Sequence, residues 1–152
     1  MNYMFILQGG IMDDLTILNE LHKGITMGMS AIEEVSDKVS EQNFQDELSF
    51  QYNRYRDSLD KVDAKFEQAG EIPDDVELGT KMMGWMGIQM NTLKDKSNSQ
   101  ISELLIQGND MGIIKGVKLL NQNPQAPQEV KDILDGFIRL QENNIERLKK
   151  FL

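Results

Sequence analysis

The chain has no cysteine, one histidine, one tryptophan and three prolines. Each scarcity removes a class of chemistry. Without cysteine there are no disulfides, no thiolate metal sites and no thiol nucleophile. A lone histidine, His22, leaves most acid–base and metal constellations short of a member. Positive charge is also scarce: 16 Lys and Arg stand against 25 Asp and Glu, a net charge of −9. Such a chain repels phosphate backbones and anionic lipid, and no basic cluster offsets this, so neither nucleic acid nor membrane is expected as a partner. No apolar run approaches the length of a membrane-spanning helix. Glycine-rich phosphate loops, nucleophile elbows and zinc spacings are absent as well, so no enzyme activity and no cofactor are expected.

Residues 1–10 carry no Lys or Arg, their apolar stretch Met4-Phe5-Ile6-Leu7 is short, and no small-residue cleavage site follows. They do not read as a signal peptide, and the cytoplasm is the expected compartment. Two readings of residues 1–11 stand side by side. Codons for Gln8-Gly9-Gly10 can spell a purine-rich ribosome-binding sequence just ahead of Met12, which would make Met12 the true start. Alternatively the segment is a short arm that packs Phe5 and Leu7 on the domain. The intact mass of native protein separates the two.

What is present suits one globular domain over residues 12–152. The 152 residues are 39% hydrophobic and 27% charged, and a chain of this mass buries roughly two-thirds of its unfolded surface. From Asp13 the apolar pattern is helical. Leu18, Leu21, Ile25, Gly28, Ile32, Val35 and Val39 step by three and four, the seam of a packed helix. A second helix is expected over about 44–69, with Leu48, Tyr52, Tyr55, Leu59, Val62 and Phe66 in the same rhythm. Gly70 caps it and Pro73 prevents its continuation. Asp74 and Glu77, at capping-box spacing, open a third segment over about 75–96.

Ser97 and Gln100 repeat that spacing before a fourth segment, whose apolar positions are Ile101, Leu104, Leu105, Gly108, Met111, Ile114 and Val117. A loop with Pro124 and Pro127 leads to the last helix, with Pro127 expected at its first position. Val130, Ile133, Leu134, Phe137, Leu140, Leu148 and Phe151 are its core face. The expected fold is all-α: an up-down four-helix bundle in which two hairpins are joined by a long helical crossover, the ferritin-like topology.

The motif Leu18-Asn19-Glu20-Leu21 leading to Gly24 and Gly28, the crossover Gly84-Trp85-Met86, and the last hairpin from Ile101 to Pro127-Gln128-Glu129-Val130 resemble the small bacterial ferritin-like helical bundles of unknown function. The resemblance covers nearly the full chain from Asp13. It implies the fold and little about activity, because the function of that family is itself unknown.

Ferritin-like dimetal sites take a Glu from each of two helices and Glu-x-x-His from each of the other two. Here the last helix offers Gln141 and Asn144 at the Glu-x-x-His spacing. Neutral amides are poor ligands beside carboxylate and imidazole, so Gln141 and Asn144 are read as a polar core that bonds internally and fixes helix register. Glu47 and Gln51 supply no such pair in the second helix. A ferritin-like metal-binding protein or oxidase whose site uses carboxylates alone, such as Glu20, Glu33, Glu47 or Glu142, is the alternative. His22 falls on the flank of its seam and is expected to be half-exposed beside an acidic or backbone partner.

Gly24 and Gly28 in one helix, and Gly108, Gly112 and Gly116 in another, are too many interior glycines to be neutral, at about 1 kcal/mol each against Ala. They imply close approach of a large neighbour, Trp85 or a tyrosine, or a subunit contact. Ten methionines are many for this length. Met82, Met86 and Met90 form a stripe, with Met83 and Trp85 on other faces. That segment is either adaptable core or a cover whose outer face meets a partner. The function expected is therefore non-enzymatic: a structural or interaction bundle, homodimeric or higher, joined through Met82, Met83, Trp85, Met86 and Met90.

Overall fold

The computed structural model describes residues 13–74, 87, 89–93 and 95–152, and these are all-α, with no strand among them. Four long helices carry the fold: α1 (Asp14–Ser36), α2 (Gln42–Ala69), α3 (Asn98–Gln122) and α4 (Gln128–Leu148). A 3₁₀ turn over Lys149–Phe151 closes the chain.

Local chemistry sets the ends of these helices. Asp13 caps α1, its carboxylate accepting from the Thr16 amide at 2.7 Å, which satisfies one of the donors a helix start leaves open. Ser97 caps α3 in the same way, accepting from the Gln100 amide at 3.3 Å. α2 ends at Gly70, whose φ of +67° is left-handed and lets its amide return to the Glu67 carbonyl. Pro127 precedes the first residue of α4 instead of occupying it, because its ψ of 148° is still extended.

Side-chain pairs give the directions. Gly28 on Tyr55 and Glu33 on Tyr52 run α1 antiparallel to α2. Ser102 on the Leu148 carbonyl and Gly116 on Ile138 run α3 antiparallel to α4. Glu47 with Arg147 and Lys65 with Glu129 make α2 and α4 antiparallel, and Glu20 with Lys115 joins the start of α1 to the end of α3. The order around the ring is α1, α2, α4, α3, with α1 and α4 also meeting across the centre. The end of α2 and the start of α3 therefore lie at opposite ends of the assembly, and residues 70–97 are the stretch of sequence between them. Asp74 ties the start of that stretch to α1, its amide donating to Asn19 Oδ1 at 2.7 Å.

The core runs through all four helices. Ile17, Leu21, Ile25, Phe44, Val62, Ile101, Leu134 and Leu148 are almost wholly buried, and Phe44 stacks on Phe151 with centroids 4.3 Å apart. The expected seams of α1 and α4 are buried except at Gly28, Ile133 and Phe151, which are partly so. That of α3 holds only in its first half: Met111, Ile114 and Val117 are exposed, by 46%, 56% and 39%. The inward face continues instead through Asn109, Gly112, Gly116 and Leu119, which keep the helical three–four step from Leu105. Glycine and asparagine face inward here because α4 comes too close for larger side chains.

The third segment expected over about 75–96 falls mostly outside the described residues; within it, residues 89–92 are helical and Met90 is buried in the core at 2% exposure. The arm of residues 1–11 is also outside them.

Candidate functional site

Three helices deliver a polar cluster to the middle of the apolar core. α2 supplies Tyr55, α3 supplies Asn109, and α4 supplies Gln141 and Asn144. A buried phenol needs a partner for its hydroxyl. Tyr55 Oη has two acceptors within reach, Gln141 Oε1 at 2.8 Å and Asn109 Oδ1 at 3.2 Å; with one proton to give, the shorter bond dominates. Asn109 Nδ2 donates to the Leu105 carbonyl at 2.8 Å, and Asn144 Nδ2 reaches Asn109 Oδ1 at 3.3 Å. Asn144 Oδ1 is buried with no hydrogen-bond partner. Burial pushes the Tyr55 hydroxyl well above the ordinary phenol pKa, with the Asn144 and Gln141 amides offsetting part of the rise. The cluster is neutral over the accessible pH range.

Gln141 and Asn144 thus lie where a polar core would place them, but they do not bond each other. Each reaches across to a different helix, which ties α4 to α2 and to α3 separately. Two turns from Tyr55 along α2, Glu47 is 7% exposed and accepts from Gln51 at 2.9 Å and from Arg147 at 2.7 Å. The Arg147 guanidinium also lies 4.1 Å from the Phe50 ring centroid, so the pair is held by stacking as well as charge.

A groove lies beside this cluster, between α1 and α3. Its volume is about 290 Å³, its walls are largely apolar, and Gly24, Gly28, Gly108, Gly112 and Gly116 all line it. Four of these glycines are filled from beneath by α2 and α4. A Cβ at Gly28 would stand 2.4 Å from Tyr55 Cζ, and one at Gly24 would stand 3.2 Å from Phe137 Cζ. At Gly112 the obstacle is Gln141 Nε2 at 2.6 Å, and at Gly116 it is Ile138 Cγ1 at 2.7 Å. Gly108 alone of the five faces open space. The large neighbour of Gly28 is therefore a tyrosine, and that of Gly24 a phenylalanine.

The carboxylates named for a metal site do not converge. Glu20 is held by Lys115 at 2.6 Å and Lys23 at 3.3 Å; burial works against its charge, but the two ammonium groups outweigh it and keep its pKa below the ordinary value. Glu33 accepts from Tyr52 at 2.9 Å, Glu47 is committed to Arg147, and Glu142 is exposed. Among the described residues no three His, Asp or Glu side chains are grouped as a metal would need. His22 is half-buried, 3.5 Å from Asp63, with its edge towards Phe66. Burial holds its pKa below the ordinary value, and Asp63 opposes that only in part.

Of the residues assigned to a partner interface, Met82, Met83, Trp85 and Met86 lie outside the described residues, while Met90 packs inside this chain. No helix among the described residues is long and apolar enough to cross a membrane. Tyr55 and Asn109 are the members of the cluster that reading the sequence did not single out. Their signal was a phenol on a seam, and an amide at the four–three step between Leu105 and Gly112.

Comparison of the chain with protein-family models, with curated proteins and with solved structures finds no match in any of the three.

Proposed function

We propose that this chain is a ferritin-like four-helix bundle that acts without catalysis, as an interaction protein that associates with a second copy of itself. The observation that carries the first part is the chemistry of the centre. Where ferritin-like proteins gather carboxylates and histidines between facing helices, Tyr55, Asn109, Gln141 and Asn144 form a neutral network. Amide and phenol groups of this kind bond one another and fix the register of three helices. The ring order and the placement of the end of α2 and the start of α3 at opposite ends of the assembly accord with ferritin-like topology.

Self-association is supported by the outer face of α3, where Ile114 and Val117 stand one turn apart, 56% and 39% exposed. Two such faces related by a two-fold axis would cover one another. Sedimentation velocity at micromolar concentration tests this. Wild type is expected as a dimer or larger, and the Ile114→Glu, Val117→Glu double variant as a monomer with unchanged helical circular dichroism. A wild type that is already monomeric refutes the association.

A further inference from the structure

We propose that the groove between α1 and α3 is a binding site for an uncharged, mainly apolar small molecule bearing one hydrogen-bond acceptor, such as a medium-chain ketone, received by the side-chain amide of Gln141. The inference is independent of self-association through Ile114 and Val117.

The donor comes first. Gln141 is 3% exposed. Its Oε1 is engaged by the Tyr55 hydroxyl at 2.8 Å. Nε2 is turned towards Gly112, on the groove side, and among the described residues nothing accepts from it. Among the described residues Asn144 Oδ1 is the one sealed side-chain polar atom without a partner, so Nε2 opens onto the groove, where a ligand acceptor in apolar surroundings would take the place of water. The glycines are what make the donor reachable. A side chain at Gly112 would occupy the position beside Nε2, and one at Gly108 would fill open groove.

Charge and size limit the occupant. The charged groups on the lining are already matched: Glu20 by Lys115 and Lys23, and Glu34 by Lys38. A carboxylate or ammonium placed among Leu21, Leu104, Leu105 and Phe137 would lose its hydration with no free counter-charge to meet it. A volume of about 290 Å³ lies at the small end of the range of small-molecule pockets. At roughly 30 Å³ per water-sized group it holds about ten such groups, close to the ten carbons of a decanone.

The test is isothermal titration calorimetry of the full chain with 2-decanone, with decane and decanoate in parallel. Wild type is expected to bind one 2-decanone per chain and to prefer it at least tenfold over the other two. Gly108→Leu fills the groove from a position with room for the side chain, so it is expected to keep or raise the melting temperature and to abolish binding. Gln141→Met keeps the side-chain length and removes the donor; it is expected to bind 2-decanone about tenfold more weakly and to lose the preference over decane. Absence of saturable binding to wild type overturns the proposal, whatever covers the groove. Equal binding by Gly108→Leu places the ketone elsewhere and also overturns it. A wild-type dimer that Gly108→Leu converts to monomer assigns the groove to a second copy, with the same consequence.

Discussion

Replacing Gly28 by alanine adds one methyl group to the middle of α1, where residue preference alone favours alanine by about 1 kcal/mol. The same change at Gly108 in α3 carries the same preference and a similar effect on the unfolded chain. The two differ only in what the methyl meets. At Gly108 it meets nothing within 4 Å; at Gly28 it would stand 2.4, 2.6 and 2.8 Å from Cζ, Cε1 and Oη of Tyr55. The Tyr55 ring is 3% exposed and its hydroxyl is tied to Gln141, so the ring cannot swing away without loss. Overpacking costs about 2 kcal/mol, and disturbing the hydroxyl bonds about 2 more. Net of the helix preference, Gly28→Ala is expected to destabilise by about 3 kcal/mol while Gly108→Ala stabilises by about 1. For a domain of this size these correspond to a melting temperature lower by about 6–12 °C and higher by about 2–4 °C. Urea and thermal unfolding followed by circular dichroism measure both. In a Tyr55→Leu background the penalty at Gly28 should vanish, a coupling of at least about 2 kcal/mol. Two substitutions that shift stability in the same direction, or a Gly28 penalty that survives loss of the ring, would refute the packing argument.

Other changes read the polar centre and its surroundings. Tyr55→Phe strands the Gln141 acceptor and is expected to cost about 1–3 kcal/mol. Because burial raises the Tyr55 pKa in the folded state, its contribution is complete below about pH 10 and is lost as pH rises further; base titration of stability should flatten in the same variant. Asn144→Leu removes a buried acceptor that has no partner and a long 3.3 Å bond to Asn109, so it is expected to be neutral or to stabilise by up to about 2 kcal/mol in urea unfolding. His22 has a folded pKa below its unfolded one, so its contribution is complete above about pH 6.5 and falls as pH drops towards the folded value. Stability measured between pH 7 and 5 should therefore decline less in His22→Gln. Arg147→Ala leaves the Glu47 carboxylate buried with only Gln51 as donor, an expected loss of about 1–3 kcal/mol.

The helices were legible because their signals are local. Asp13, Ser97 and Gly70 act within one turn of their own position, and the buried seams of α1 and, Gln141 and Asn144 apart, of α4 are apolar. α3 shows where that logic fails. Hydrophobicity points to Met111, Ile114 and Val117, while the face that meets α4 carries Asn109, Gly112 and Gly116. Its inward face is chosen by how closely another helix approaches, a distance that a residue of α3 does not encode alone. The cluster was half legible for the same reason. Gln141 and Asn144 stand out as amides three apart on an apolar face, but Tyr55 lies 86 positions before its partner Gln141. Only the ring order brings them together.

The two seams between the hairpins are unequal. Along α2 and α4, Glu47–Arg147 and Lys65–Glu129 act as latches at either end, about 27 Å apart at 1.5 Å per residue. Along α1 and α3 the described residues supply one latch, Glu20–Lys115, and a hollow lies beyond it. The assembly is in effect a book bound along α2 and α4, with α1 and α3 as its open fore-edge. Thermal breathing should part the hairpins on that side first, so the α1 and α3 amides beside the hollow should exchange their hydrogens ahead of those along the spine.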